Sequence, residues 1–166
     1  MPIPGARTCR PVVEKTPVGN RLPTGCPLMS DPLIITSQFG RRMHPVRKTW
    51  RMHYGIDISA TTGTDVFATA DGVVTTVVTN PNADACGIYI KITHDNNYVS
   101  TYCHLSQALV KQGERVSAGC RIGRVGSTGV STGPHLHYAI TPNAAQGNRV
   151  AIDPTTMIQH CGYKYR

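Results

Sequence analysis

The sequence has few acidic residues, few aromatic residues and no long apolar run. Nine Asp and Glu stand against 17 Lys and Arg in 166 residues, and Phe, Trp and Tyr together make up 6%. Without an apolar run long enough to cross a bilayer, we expect no transmembrane anchor. No secretory leader is visible, since the opening residues, MPIPG, are not an apolar stretch. The chain also lacks heptads, internal repeats and low-complexity tracts, so neither a coiled coil nor a solenoid is expected.

Positive charge is concentrated in one part of the chain. Residues 1–53 contain nine Lys and Arg but only two Asp and Glu. Such a surface suits an anionic polymer, whether nucleic acid, a membrane face or bacterial cell wall. The basic run 41–51 has Trp50 as its one interleaved aromatic residue, and no zinc-finger spacing accompanies it. Nucleic-acid binding is therefore not expected.

The six cysteines do not contain a CxxC pair, which favours disulfides over a cysteine metal cluster. An even number in a short chain is typical of disulfides and of an oxidising compartment, here periplasmic or secreted. Fifteen pairings are possible for six cysteines. Strand register favours Cys86 with Cys103, whereas nearness and elimination suggest the other two pairs, which are Cys9 with Cys26 and Cys120 with Cys161.

Turn and strand formers dominate the chain. Sixteen Gly and twelve Pro accompany many Val, Ile and Thr, a composition typical of short β-strands joined by frequent turns. Apolar runs on both sides of Asp71-Gly72 predict one hairpin from residues 66–70 and 73–79. Residues 87–93 and 98–104 predict a second hairpin, with Cys86 and Cys103 nearly opposite each other.

The chain is expected to form one main domain. Residues 30–166 would make up this domain, with the tail after Pro154 fastened by the bridge from Cys120 to Cys161. Residues 1–29, rich in Pro, Gly and Arg, would be an extension stapled by Cys9 and Cys26. The sequence leaves open whether this extension is a surface tail or covers a functional groove.

Two short motifs carry the candidate chemistry. In His135-Leu136-His137, the histidines would share one face of a strand, about 7 Å apart along the backbone. His53 and Asp57 would be about 13 Å apart if fully extended, so Gly55 is expected to supply a bend between them. The alternative is that these histidines are hydrogen-bonded members of an ordinary core.

An Asp and two His make a ligand set typical of a catalytic zinc with an open fourth position. His53, Asp57 and His137 form such a set. His104 and His135 could then act on a water molecule and on the oxyanion that forms when it attacks a carbonyl.

The order of these motifs resembles the lysostaphin-type zinc endopeptidases, which are LytM-like cell-wall enzymes. The resemblance covers residues 30–154 and rests on seven segments, ITSQFGRRMHPV (35–46), HYGID (53–57), ATADGVV (68–74), YCHLS (102–106), VSAG (116–119), IGRVGSTG (122–129) and STGPHLHY (131–138). Two departures stand out. Cysteines occupy positions 86 and 103, and Ala139 stands where an acidic residue often follows the aromatic one. The second departure leaves open which group orients the metal-site histidines.

The resemblance implies a compact, mostly antiparallel β core with little helix and an active-site groove. It further implies one zinc ion per chain, bound by His53, Asp57 and His137, with His104 and His135 as catalytic residues whose individual roles stay open. His44, Tyr54 and Tyr138 are candidates for contact with substrate in the groove, although packing, in the loop for His44 and in the core for the tyrosines, is the default expectation. His94 and His160 are expected to be solvated.

The function that the resemblance implies is hydrolysis of peptide bonds in peptidoglycan. An oxidising compartment and the lack of a wall-binding repeat favour the D-alanine to meso-diaminopimelate cross-link of a periplasmic wall, cut by a monomer. Two alternatives remain open, which are an enzyme that cuts glycine bridges and a metal-free module that binds or activates a partner hydrolase. The sequence does not distinguish remodelling of the cell's own wall from a phage, conjugation, secretion or toxin role.

Overall fold

A computed structural model describes residues 22–44, 47–94, 98–142 and 150–166. These ranges contain two short 3-10 helices, Pro154–Thr156 and Gln159–Cys161. The strands within them are β1 Leu33–Ser37, β2 Gly40–Met43, β3 Trp50–His53, β4 Ile56–Ser59, β5 Asp65–Phe67, β6 Gly72–Val78, β7 Ile88–His94, β8 Tyr98–Ala108, β9 Arg115–Val116, β10 Arg121–Val125, β11 His135–Pro142 and β12 Tyr163–Tyr165.

One large sheet organises the chain. Its strands follow the order β12-β1-β4-β11-β8-β7-β6-β9, and β10 pairs with both β8 and β5. Only the pairing of β1 with β12 is parallel within the described sheet. Strands β2 and β3 form a separate antiparallel ribbon. The predicted mostly β, antiparallel architecture with little helix is confirmed.

The helices of the described residues are too short and too polar to cross a membrane.

Alternation along the central strands divides the sheet into two faces. Ile56 and Ile58 of β4 and Leu136 of β11 are fully buried, whereas Asp57 and His137, which alternate with them, are only partly buried. Because successive side chains of a strand point to opposite faces, the apolar residues face the core and the polar ones face away from it. This division places the candidate site on the face opposite the main core.

The core is built from aliphatic residues of nearly every strand. Burying one Leu, Ile or Val side chain contributes about 1.5–3 kcal/mol relative to leaving it exposed, so these contacts dominate the stability of the sheet. The largest fully buried side chains are Leu28, Leu33, Ile35, Ile56, Ile58, Ile90, Ile92, Tyr102, Leu105, Ile122, Leu136 and Tyr138.

The hairpin predicted around Asp71-Gly72 is wrong. Strand β5 pairs with β10, and β6 pairs instead with β7 and β9. Two main-chain hydrogen bonds hold the intervening segment against residues 117–120, from Ala68 N to Cys120 O and from Gly119 N to Ala68 O. The Asp71 carboxylate accepts a third bond, from Ala118 N. The chain therefore passes from its pairing with β10 to its pairing with β7 and β9, at a point where the Asp71-Gly72 dipeptide alone suggests a tight turn.

The second predicted hairpin is present and carries a disulfide. Strands β7 and β8 pair antiparallel, and Cys86 is bonded to Cys103 with their Cα atoms 4.9 Å apart. Strand β8 runs to Ala108, four residues beyond the predicted end, because its outer part pairs with β10. The Cys86–Cys103 pairing is confirmed.

The other two predicted disulfides are wrong, because Cys26 is bonded to Cys161. Residues 22–32, the described part of the chain before β1, pack on the domain. Gly25 N donates to Thr69 O, Phe67 N donates to Pro27 O, and Leu28 is 1% exposed. Cys26 thereby meets the C-terminal tail across 135 residues of sequence, a loop whose closure stabilises the fold by about 5 kcal/mol on the loop-entropy model. Cys120 is also disulfide-bonded, and Cys9 lies outside the described residues.

A buried hydrogen-bonded chain contains two of the residues weighed from the sequence. His94 is 2% exposed, so the expectation that it is solvated is wrong, and Tyr138, a candidate for substrate contact with core packing as the default, is 0% exposed. His94 Nε2 lies 2.8 Å from Ser100 Oγ, which donates to the Tyr102 hydroxyl. The Tyr138 hydroxyl donates to Thr69 Oγ1, itself 3.1 Å from the Tyr102 hydroxyl. These polar side chains satisfy one another inside the core, which is how buried polar groups avoid a desolvation penalty.

The bend before β4 depends on a glycine. A Cβ atom at Gly55 would lie 2.5 Å from Tyr138 O and 2.9 Å from His137 Cε1. Contacts this short require the main chain of β11 or the His137 ring to move. Gly55 thus allows β4 to approach β11 closely immediately after the chain has turned away from β3, and the predicted bend is confirmed.

We expect the substitution Gly55→Ala to lower the free energy of unfolding by about 1–3 kcal/mol, the usual effect of overpacking. Gly133→Ala is the matched control, because an added Cβ there meets nothing within 4 Å; its effect should stay within about 0.5 kcal/mol. Denaturant titration of both variants measures the difference. Equal stability of the two proteins would contradict the close approach at Gly55.

Candidate active site

The site is aligned by the pairing of three neighbouring strands. In β11, His137 stands opposite Asp57 of β4 on one side and opposite Cys103 of β8 on the other. Directly opposed residues of an antiparallel pair have Cβ atoms about 4.5–5.5 Å apart. His104 follows Cys103 in β8, so the register brings an Asp and two His into one region of the sheet.

His53 enters this region from the β2–β3 ribbon. It is the last residue of β3, and the bend at Gly55 returns the chain so that His53 Nε2 lies 3.2 Å from Asp57 Oδ1. His137 Nδ1 lies 2.8 Å from the same carboxylate oxygen and 3.2 Å from His53 Nε2. The structure therefore brings together three side chains whose ligand atoms can hold a metal ion.

The main chain orients the His53 ring. His53 Nδ1 lies 2.8 Å from Gln38 O, and a carbonyl oxygen can only accept, so Nδ1 carries the hydrogen. In the neutral ring, the lone pair is then on Nε2, facing the Asp57 carboxylate. The Nε2 lone pair and the carboxylate oxygen repel each other at 3.2 Å, and a cation bound between them would remove this repulsion. For His53, the group that orients the ring is therefore the Gln38 carbonyl.

Asp57 is a carboxylate in this arrangement. Its burial by itself raises the pKa, but hydrogen bonds and positive charge from the His137 and His53 rings in their protonated forms outweigh burial, so without a metal the pKa is held well below its usual value. Its side chain is 15% exposed. A charged, accessible oxygen is the form that binds metal ions.

His104 occupies an irregular point in the longest strand. Its φ is +63°, a conformation that costs a non-glycine residue about 1–3 kcal/mol. Its Nδ1 lies 2.7 Å from Thr128 O, and its main-chain N–H donates to Cys86 O. Burial lowers its pKa, partly opposed by the Thr128 hydrogen bond. The ring is therefore held with Nδ1 as the donor and Nε2 as the free nitrogen.

His135 is oriented in the same way. Its Nδ1 lies 2.8 Å from Gly133 O and 3.3 Å from Ser131 Oγ, which leaves Nε2 as the free nitrogen, 3.7 Å from Asp57 Oδ1. The ring centroids of His104 and His135 are 4.7 Å apart. The structure thus brings both residues predicted to be catalytic to the edge of the His53, Asp57 and His137 group.

Other residues singled out from the sequence lie outside this group. Tyr54 is 60% exposed beside His53, and His44 Nδ1 accepts a hydrogen bond from Arg47 N within its own loop. Contact of either residue with substrate stays a prediction, whereas the burial of Tyr138 rules out such contact. His160 is exposed, as expected.

A second group of metal-ligand residue types lies near the C-terminus. Cys26, His160 and Cys161 have potential ligand atoms within 4.8 Å of one another. The two sulfurs are joined in a disulfide, and metal binding requires thiolates. This group is therefore not a metal site in the oxidised protein.

Several residues that contribute to the site could not be identified from the sequence, because they act through the main chain. Gln38, Thr128 and Gly133 each provide a carbonyl oxygen to a histidine Nδ1. Every residue has a carbonyl, so residue type carries no signal for this role. The glycine-rich run 126–133 was the one visible hint, since glycines permit close turns of the main chain beside a site.

Comparison with known proteins identifies relatives of the chain. Residues 51–154 match the model of Peptidase family M23. Peptidoglycan DD-endopeptidase ShyA of Vibrio cholerae serotype O1 is 48% identical over 107 residues, which are 64% of this chain and 24% of that protein. The chain spans about a quarter of the length of the curated relatives it matches.

Solved structures give the same result for the fold. A zinc containing peptidase from Vibrio cholerae superposes with a TM-score of 0.67 at 36% identity, over 77% of this chain and 37% of that one. The catalytic domain of lysostaphin from Staphylococcus simulans superposes with a TM-score of 0.66 at 30% identity, over 76% of this chain and 92% of that one. The resemblance deduced from the motifs is confirmed, and the chain belongs to peptidase family M23.

Proposed function

We propose that this chain is a zinc-dependent peptidoglycan endopeptidase that hydrolyses the cross-link between D-alanine and meso-diaminopimelate. One observation carries the proposal. A His, Asp and His group and two further histidines, each with a ring nitrogen free, converge on one face of the sheet. A set of this kind is complete for hydrolysis, because it provides metal ligands together with groups that exchange protons.

The donor set and its dimensions fit zinc. With zinc–ligand bonds of about 2.0–2.2 Å and tetrahedral angles, neighbouring ligand atoms are about 3.4 Å apart. The three separations in the group are 2.8, 3.2 and 3.2 Å. Zinc would be held by His53 Nε2, Asp57 Oδ1 and His137 Nδ1, which leaves a fourth position for water or substrate. Three protein ligands with an open position are typical of catalytic zinc, whereas structural sites use four.

Zinc in such a site lowers the pKa of water and polarises a carbonyl. The protein then has two proton-transfer groups within reach. Nδ1 of His104 and of His135 is tied to a main-chain carbonyl, so Nε2 of a neutral ring can accept the proton of the attacking water. A ring that carries a proton on Nε2 can donate a hydrogen bond to the oxyanion of the tetrahedral intermediate. His104 and His135 share these two roles.

The names of relatives and the disulfides both support this choice of bond. ShyA, 48% identical, is named a peptidoglycan DD-endopeptidase, and a bond from D-alanine to the D-centre of meso-diaminopimelate is of that kind. A glycine bridge, in contrast, contains no D-centre. The disulfides of Cys26 and Cys86 fit an extracellular or periplasmic compartment. We place the enzyme in the periplasm, acting on peptidoglycan peptides.

Substitutions are expected to separate metal binding from proton transfer. Asp57→Ala and His137→Ala should remove zinc and activity together, since each deletes one of three ligands. His104→Ala and His135→Ala should keep one zinc per chain yet lower turnover by about a hundred- to ten-thousandfold, the usual contribution of a general acid or base. Zinc is measured by elemental analysis of the dialysed protein, and turnover on cross-linked muropeptides.

His160→Ala is the control for this series, because it removes an exposed imidazole outside the site; it should keep both zinc and turnover. Full zinc occupancy in His137→Ala would show that the ligand assignment is wrong. A wild-type protein that folds but binds no zinc would favour the metal-free module that binds a partner hydrolase.

Bond choice is tested with two purified cross-linked dimers. One is joined directly through diaminopimelate and the other through a glycine bridge. We expect the products of the first dimer alone, identified by mass spectrometry. Cleavage confined to the glycine bridge would overturn the periplasmic assignment while leaving the zinc mechanism intact.

A further inference from the structure

The β2–β3 ribbon presents two different faces. Its register pairs Gly40 with His53, Arg41 with Met52, Arg42 with Arg51 and Met43 with Trp50. Opposed residues share a face of the sheet, as do residues two apart in one strand. One face therefore carries Arg41, Met43, Trp50 and Met52, and the other carries Gly40, Arg42, Arg51 and His53.

The face with Arg42 and Arg51 is turned toward the site. His53 lies on this face, and its ring reaches Asp57 and His137. Arg51 precedes His53 by two residues, which places its Cα about 7 Å away along the strand. Position 40, opposite His53, is a glycine at which an added Cβ would have no neighbour within 4 Å. The space around position 40, beside His53, is therefore open.

Arg42 and Arg51 are a pair of like charges without a counter-ion in the described part of the chain. They stand directly opposite each other, and like charges in that relation destabilise a sheet. Neither guanidinium forms an ion pair with a described Asp or Glu. A local arrangement that costs stability without a compensating contact is typical of a functional site.

Arg41 differs from this pair. Its guanidinium carbon lies 5.5 Å from the centroid of the Trp50 ring, so its charge already has a partner within the ribbon through a cation–π contact. It also lies on the face that does not contain His53. Arg41 and Arg42 are adjacent in sequence and equal in charge, yet they differ in the side from which they can be reached.

We propose that Arg42 and Arg51 bind a free carboxylate of the peptide substrate, and that this carboxylate is the one beside the scissile amide. This proposal rests on the function proposed above and names a specificity determinant within it. In a D-alanine to meso-diaminopimelate link, the carbon that bears the amide nitrogen also bears a carboxylate. Two guanidinium groups can hold such a carboxylate through charge-assisted hydrogen bonds, and it neutralises the repulsion between them. A glycine bridge has no carboxylate at that carbon.

The test compares two dimers that differ in one group. The first contains free diaminopimelate, and in the second the carboxylate beside the scissile amide is converted to a carboxamide. Arg42→Gln and Arg51→Gln should each raise KM for the first dimer by about ten- to a hundredfold, as expected for a lost hydrogen bond between charged groups, with little change in kcat. For the amidated dimer, the wild-type protein and both variants should have similar KM values.

Arg41→Gln is the matched control, since it removes the same charge from the opposite face and should leave the KM for both dimers within about twofold. Thermal unfolding without substrate gives a readout that is independent of catalysis. The melting temperatures of Arg42→Gln and Arg51→Gln should equal or exceed that of the wild-type protein, because the like-charge repulsion is gone.

The outcomes distinguish this proposal from the proposed function. Wild-type protein that cleaves neither dimer contradicts both. If the wild-type protein cleaves the dimers but Arg41→Gln and Arg42→Gln raise KM equally, the arginines act only through long-range attraction. That result overturns the carboxylate site and leaves the proposed function intact. Equal losses on the free and the amidated dimer, or a marked fall in the melting temperature of Arg42→Gln, also overturn it, because the arginines would then act on the fold and not on the carboxylate.

Discussion

The pairing of β11 with β4 is the constraint on which the rest of the site depends. It sets His137 opposite Asp57, and their 2.8 Å contact closes one edge of the candidate metal group. A shift of one residue in a strand would exchange its two faces. Such a shift would place Leu136 and Tyr138, both fully buried, on the exposed side and bury His137. Packing of the hydrophobic core therefore fixes the positions of the candidate metal ligands, although His53, Asp57 and His137 are not themselves part of that core.

Main-chain carbonyls give the histidines their directions. His53, His104 and His135 each place Nδ1 within 2.8 Å of a carbonyl oxygen, which assigns the hydrogen to Nδ1 and leaves Nε2 for chemistry. The positive φ of His104 interrupts the alternation of β8 and turns a side chain that a regular strand would direct elsewhere. Backbone strain held in place by surrounding hydrogen bonds is common where a site requires an exact orientation.

Local patterns in the sequence were sufficient for part of this arrangement. The spacing of His135 and His137 and the glycine between His53 and Asp57 predicted a shared strand face and a bend, because both depend on the geometry of a few adjacent residues. The Cys86–Cys103 bridge followed from hairpin register in the same way.

Features that depend on distant partners could not be predicted from the sequence. Cys26 bonds to Cys161 because the segment around Leu28 packs into the core, which the Pro- and Gly-rich composition does not indicate. The burial of His94 likewise results from its contact with Ser100 on the neighbouring strand. Pairing of β5 with β10 instead of β6 was decided by long-range hydrogen bonds, against the local preference of Asp71-Gly72 for a turn.

The central proposal is that one zinc ion is bound by two imidazoles and a carboxylate on the face of the sheet opposite the main core. X-ray absorption spectroscopy at the zinc edge of the purified protein tests it directly, because sulfur and nitrogen or oxygen neighbours differ in distance and in scattering. Our account predicts nitrogen and oxygen neighbours alone, at about 2.0–2.2 Å, with the outer-shell pattern of two imidazole rings. A sulfur neighbour at about 2.3 Å would place zinc at cysteines and contradict the site built from His53, Asp57 and His137.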